Sequence, residues 1–146
     1  MEQEHPKTIG DRSALAVMMA LQETGIPFLV PFGENSRYDF VLELGAHLAR
    51  VQCKTGRLRR GAVVFRTCSS YAHHLSQKHR SRDYLGQVDY FVVYCPETTG
   101  VYLIPMTNLE TRCMASLRIE PPRNNQRRFI RLAADYEIAK VSVVTS

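Results

Sequence analysis

Apolar side chains recur along this chain with two distinct periods. Ala14, Val17, Met18 and Leu21 fall at the spacing that gathers side chains on one face of a helix. Thr8-Ile9-Gly10-Asp11 just before them has the Ser/Thr-x-x-Asp/Glu pattern able to cap a first turn, and Gly25 supplies a stop. From residue 26 the pattern shortens. Ile26 to Phe32 is apolar but carries Pro27 and Pro31, which suits an edge strand. A turn is expected at Gly33-Glu34-Asn35-Ser36, followed by strands over Tyr38–Leu44 and His47–Lys54 and another over Gly61–Thr67. Residues 67–87 are polar, basic and histidine-rich and read as a loop with a short helical turn. Val88 to Cys95 is nearly continuous apolar sequence, as in a strand buried on both faces. Val101–Ile104 is a further strand, Met106–Glu110 starts a short helix, and the loop-rich remainder has a helical turn near Ala133–Tyr136. The pattern predicts one α/β domain over residues 1–146, a leading helix against a mixed sheet, with a core at about 7–110 and a C-terminal extension at 111–146.

The two strands around Gly45-Ala46 carry the most informative register. Glycine first in a two-residue connection suits a type II′ turn. With that turn Leu44 faces His47, and continuing the pairing puts Asp39 opposite Gln52. Alternation then places Asp39, Gln52 and Lys54 on one face, with Tyr38, Phe40, Leu42, Leu44, Val51 and Cys53 on the other. A one-residue slip would destroy that sorting. Asp39 offers a hard anionic oxygen, Gln52 an amide oxygen, and the Cys53 backbone carbonyl a third. Oxygen ligands completed by water and a phosphate fit Mg²⁺ better than Zn²⁺, with Mn²⁺ as an alternative. Lys54 beside them would orient a water or offset charge on a phosphate.

The charge distribution points the same way. The formal net charge is only +5. Between Glu43 and Asp83, however, there is no acid, while Arg50, Lys54, Arg57, Arg59, Arg60, Arg66, Lys78, Arg80 and Arg82 all fall there. A second basic run holds Arg112, Arg118, Arg123, Arg127, Arg128 and Arg131 against Glu120. Such runs suit a polyanion, bound through phosphate neutralisation and counterion release; alone they fit nucleic acid or an anionic membrane equally. No apolar run approaches the ~20 residues that span a bilayer, and the first residues lack the basic-then-apolar pattern of a secretory signal. Cys53, Cys68, Cys95 and Cys113 stand far apart with no Cys-x-x-Cys pair. That spacing argues against zinc and for reduced thiols in a cytoplasmic setting.

Read in order, Thr8-Ile9-Gly10-Asp11, Val30-Pro31-Phe32-Gly33-Glu34-Asn35-Ser36-Arg37-Tyr38-Asp39, Val51-Gln52-Cys53-Lys54-Thr55-Gly56-Arg57, Tyr84-Leu85-Gly86-Gln87-Val88-Asp89-Tyr90-Phe91 and Val101-Tyr102-Leu103-Ile104-Pro105 resemble the PD-(D/E)XK nuclease superfamily. More narrowly, they are similar to the branch containing cyanobacterial group I intron homing endonucleases, related to Holliday junction resolvases. The resemblance implies a restriction-endonuclease-like core of αβββαβ type, a mixed β-sheet with flanking helices. It also implies Mg²⁺-dependent hydrolysis of DNA with Asp39, Gln52 and Lys54 as the catalytic set, and a homo-oligomer, dimer or tetramer. Arg37, Arg57, Arg59, Arg60, Lys78, Arg80 and Arg82 are the expected contacts to the nucleic acid.

One departure stands out. The family's first helix carries a glutamate that reaches the metal, and the matching residue here is Ala14. Asp11, three residues earlier on the same helical face, is either a substitute oxygen or a first-turn cap. Without that carboxylate the alternative reading is a catalytically impaired nucleic-acid-binding protein of the same fold. Asp89 is expected to hydrogen-bond locally at a strand entry. His73, His74 and His79 are expected to meet phosphate or solvent rather than metal, and Tyr71 and Tyr84 are candidates for stacking on bases.

Overall fold

The computed structural model describes residues 3–33, 35–69, 82–83, 87–109, 113–120 and 130–141. Helix α1 spans Pro6–Thr24. It starts earlier than the capping pattern at Thr8 predicts, because Pro6 occupies the first turn, where its missing N–H costs nothing. His5, one residue before, caps it by accepting from the Lys7 amide at 3.2 Å. Asp11 therefore lies beyond the first turn and has no capping role. Gly25, with φ +76°, ends the helix as anticipated.

Five strands form one mixed sheet. They are β1 (Phe28–Leu29), β2 (Phe40–Leu44), β3 (His47–Thr55), β8 (Tyr90–Cys95) and β9 (Gly100–Pro105), in the order β1-β2-β3-β8-β9. The edge strand is shorter than the apolar run around it, since Pro27 and Pro31 flank it. Leu44 pairs with His47 and Phe40 with Val51, the predicted hairpin register. Gly45 has φ +64° and Ala46 does not share the positive sign, as a type II′ turn requires. β3 and β8 run parallel, Val51 beside Tyr90 and Thr55 beside Tyr94. Asp89 fixes that register. Its carboxylate accepts from the Arg50 amide at 2.8 Å and pairs with the guanidinium at 3.3 Å, and its own amide donates to the Arg50 carbonyl at 2.8 Å.

A second sheet joins β4 (Arg57–Arg59), β5 (Ala62–Arg66) and β10 (Met114–Arg118) in the order β10-β5-β4. Two of its members were not anticipated. β4 follows β3 after a single residue and turns into β5 at Arg60 and Gly61, both at positive φ. β10 sits in the expected extension. Two further short strands, β6 (Cys68–Ser69) and β7 (Arg82–Asp83), pair antiparallel inside the segment read as loop. The stretch between β5 and β8 where the resemblance places a second helix lies largely outside the described residues, as do Tyr71, His73, His74, His79 and Tyr84. Single 3-10 turns occupy Met106–Asn108, Ala133–Tyr136 and Ile138–Lys140.

The layers are α1, the five-stranded sheet and the three-stranded sheet, with a core on each side of the middle layer. Val17 and Leu21 of α1 meet Phe40, Leu42, Val51, Val92, Leu103 and Ile138. On the other face Phe91, Val93, Cys95, Tyr102 and Ile104 meet Val63, Phe65, Leu117 and Ala133. Each fully buried side chain of this size contributes about 1.5–3 kcal/mol. Tyr38 packs against the second core, not with Phe40 as strict alternation predicts. The β2 pairing ends at Phe40, and the chain before it leaves the pleat. No described helix is long and apolar enough to cross a membrane.

Candidate active site

Past the Phe40–Val51 pair β3 loses its β2 partner while still paired to β8, and the notch so formed holds the predicted aspartate. The Asp39 amide donates to the Val51 carbonyl at 2.8 Å, and its Oδ2 accepts from the Cys53 amide at 2.8 Å. The Cys53 N–H thus points to the β2 side of β3. In a strand the carbonyl of a residue projects to the same edge as its amide, so the Cys53 oxygen is directed to that notch as well. Asp39 therefore lies at the sheet edge rather than squarely over Gln52.

A recess of about 340 Å³ opens there between α1 and the sheet, lined by residues including Asp11, Ser13, Ala14, Asp39, Cys53 and Thr55. It brings together Asp39, Cys53 and Asp11. Ala14 also borders it and contributes no oxygen. Gln52 and Lys54, half-buried, stand beside Phe91 and Val93 in the parallel register. Those two side chains belong to the core on the far side of the sheet from α1, so alternation carries Gln52 and Lys54 to that side. The three predicted side chains therefore do not share one face: Asp39 and Asp11 line the recess on the α1 side, while Gln52 and Lys54 lie on the other, where the Lys54 charge still acts on Asp39.

The electrostatics follow from this placement. Burial raises the Asp39 carboxyl above its ordinary pKa, and the Cys53 amide and the Lys54 charge pull it back only in part. Lys54 is thus close enough to be felt by the carboxylate. The Cys53 thiol is pushed up to about 12 by burial, with the Asp39 charge adding to the effect and Lys54 opposing it. It stays protonated at neutral pH and offers no thiolate to a soft metal.

Two residues of this region were missed in the sequence. The Ser13 and Thr55 hydroxyls lie 2.6 Å apart and tie α1 to β3 along the wall of the recess. Ser13 is 2% exposed. The signal was its place four residues before Val17 on the buried stripe.

The expected nucleic-acid contacts are dispersed. Arg37 donates from Nε to the Gln87 side-chain oxygen, holding the chain before β2 to the segment before β8. Arg57 pairs with Glu97 at 3.7 Å. Arg59 and Arg60 are exposed at the tip of the β4–β5 hairpin. Lys78, Arg80 and the Arg82 side chain lie outside the described residues. Among the described residues, no three His, Cys, Asp or Glu side chains converge as a metal cluster.

The sequence model of the PD-(D/E)XK endonuclease family matches residues 4–139. The chain belongs to that family. Nuclease is the activity class of a PD-(D/E)XK endonuclease, and the kinship read from the motifs is borne out. No curated protein matches the sequence. Among solved structures, the fold is similar to that of a bacterial homing endonuclease, I-Ssp6803I. The TM-score is 0.64 at 22% identity, covering 92% of this chain and 88% of that one.

Proposed function

We propose that this PD-(D/E)XK protein is a divalent-metal-dependent endonuclease that hydrolyses phosphodiester bonds in DNA at the Asp39 notch. The observation that carries the reading is the Asp39 carboxylate fixed to the Cys53 amide at 2.8 Å, within the field of Lys54. The donors available are all hard: the Asp39 carboxylate, the Cys53 carbonyl, the Gln52 amide oxygen and the Asp11 carboxylate, beside a thiol that stays protonated. That set fits Mg²⁺ or Mn²⁺ and does not fit zinc. When bound, such an ion lowers the pKa of a coordinated water and draws charge from the phosphate.

The chain's own groups do the rest. Asp39, the Cys53 carbonyl, Gln52 and Asp11 are the groups that would hold the ion. The Lys54 ammonium orients the attacking water and offsets the charge that grows on the phosphate oxygens. Arg37, Arg57, Arg59 and Arg60, with Lys78, Arg80 and Arg82, contact the duplex backbone. Cutting two strands calls for two such sites, so the active form is a homo-oligomer, a dimer or tetramer. Four free cysteines suit a reducing cytoplasm.

The test is cleavage of a panel of duplex and branched DNAs with and without Mg²⁺. Asp39→Asn and Lys54→Ala are each expected to slow cleavage by about 100-fold or more, the scale of losing one group that stabilises the transition state, while duplex binding persists. Full activity in either variant would remove the assignment. The second reading, a nucleic-acid binder without cleavage, draws on Ala14 at the wall of the recess. Salt-dependent DNA binding with no calorimetric Mg²⁺ site and no cut substrate would establish it instead.

A further inference from the structure

The second sheet has an outward face of which the proposed function uses only Arg57 and Arg59. Leu58, Val63, Phe65, Ala115 and Leu117 turn into the core beneath it, and the register pairs them with one another: Leu58 with Val63, Val63 with Leu117, Phe65 with Ala115. Alternation puts Arg57, Arg59, Ala62, Val64, Arg66, Met114, Ser116 and Arg118 on the outward side. Half of these positions are arginine, and β4, β5 and β10 contain no acid at any position. Arg59, Arg66, Met114 and Ser116 are exposed, so this side is open among the described residues. Arg59 and Arg118 flank Ala62 in one row, Arg57 lies two residues along, and Arg66 stands beyond Val64. With ordinary strand spacing and rise, the four guanidinium stems rise from an area of about 14 by 10 Å.

We propose that this outward face is the docking platform for the sugar–phosphate backbone of duplex DNA, with Arg66 and Arg118 joining Arg57 and Arg59. The inference rests on the reading of the chain as a DNA nuclease and adds a surface to it. Gathering four arginines on one sheet face repels and destabilises the free protein; a polyanion relieves that cost. The planar fork of arginine matches two phosphate oxygens at once. The small Ala62 and Val64 between them leave room for the long stems to lie down. Two acids border the platform without cancelling it. Glu97 pairs with Arg57 from beside β4, and Glu120, whose carbonyl accepts from Arg118 Nε at 3.2 Å, follows β10. Gly56 alone separates β3 from β4, and alternation puts Arg57 on the same face of this segment as Thr55 and Cys53, which line the recess.

The experiment is duplex binding by fluorescence anisotropy in EDTA, where no cutting is required, from about 50 to 200 mM salt. Each phosphate neutralised contributes about 0.9 to the slope of log affinity against log salt. Arg66→Gln with Arg118→Gln is expected to lower that slope by about 2. Arg66→Lys with Arg118→Lys should restore most of it, and Lys7→Gln with Lys140→Gln, an equal charge loss elsewhere, should leave it unchanged. If the double glutamine variant does not fold, Arg59→Gln decides, with a fall of about 1. Wild-type slope and affinity in these arginine variants would overturn the platform while leaving the nuclease reading intact, since the wild type would still bind and cut. A wild type that neither binds nor cuts DNA would overturn both readings. Binding to anionic phosphatidylserine vesicles, lost in the same variants while DNA affinity is unaffected, would reassign the face to a membrane.

Discussion

At Gly56 an added Cβ would sit 2.6 Å from Val63 Cγ1 and 2.8 Å from Val93 Cγ1, two buried side chains of facing sheets. The Gly56 amide meanwhile extends the parallel ladder to the Tyr94 carbonyl at 2.8 Å, so the backbone is not free to move aside. Gly56→Ala is therefore expected to cost about 1–3 kcal/mol through overpacking, read as a lowered urea midpoint; an unchanged midpoint would mean the layers part easily. Ala14 makes the opposite kind of prediction. It packs against the core on one side and borders the recess on the other, so Ala14→Glu adds a carboxylate directed into that space beside Asp39 and Asp11. That variant is expected to bind Mg²⁺ about tenfold more tightly, roughly 1.4 kcal/mol, in calorimetry on DNA-free protein. No gain in affinity would place the ion away from this wall.

Among the elements, the β2–β3 hairpin was the most legible in the sequence because a single turn dictates it. Gly45-Ala46 admits few geometries, and every pairing from Leu44 to Phe40 follows from that turn. The reading failed where the pairing stopped. Beyond Phe40 the Asp39 carboxylate turns in the sheet plane to the Cys53 amide, and period-two alternation says nothing about a residue that has left the ladder. The three-stranded sheet was half missed for a related reason. Arg-Leu-Arg in β4 and Met-Ala-Ser-Leu-Arg in β10 each have too few core positions to read as strands alone, and only their long-range pairing with β5 makes them so. Asp89 was expected to bond locally; its partner is Arg50, on a neighbouring strand distant in sequence. Burial works to raise the Asp89 pKa, but the Arg50 amide and guanidinium outweigh it and hold the carboxylate below the ordinary value. A depressed acid stabilises the fold above its unfolded pKa, and this contribution is lost as pH falls through the folded pKa. Arg50→Ala should thus raise the Asp89 titration, followed by carboxyl NMR, and flatten the stability-against-pH curve on its acid side. An Asp89 titration unmoved by the substitution would deny Arg50 this role.

For the molecule as a whole, the last described segment closes both cores. Ala133 enters one and Ile138 the other, where it meets Val17 and Leu21 of α1. A chain ending at residue 129 is expected to lose several kcal/mol, since each buried aliphatic side chain removed costs about 2–5 kcal/mol, and to melt well below the full protein in calorimetry. Equal melting would show these residues to be a detachable tail. The seating of Ile138 under α1 also has a meaning for synthesis. Asp39 emerges from the ribosome early, but the helix that walls its recess finds its full footing only once Ile138 has been made. The recess is therefore fully walled only after synthesis has passed residue 138, long after the strands that bracket it have been made.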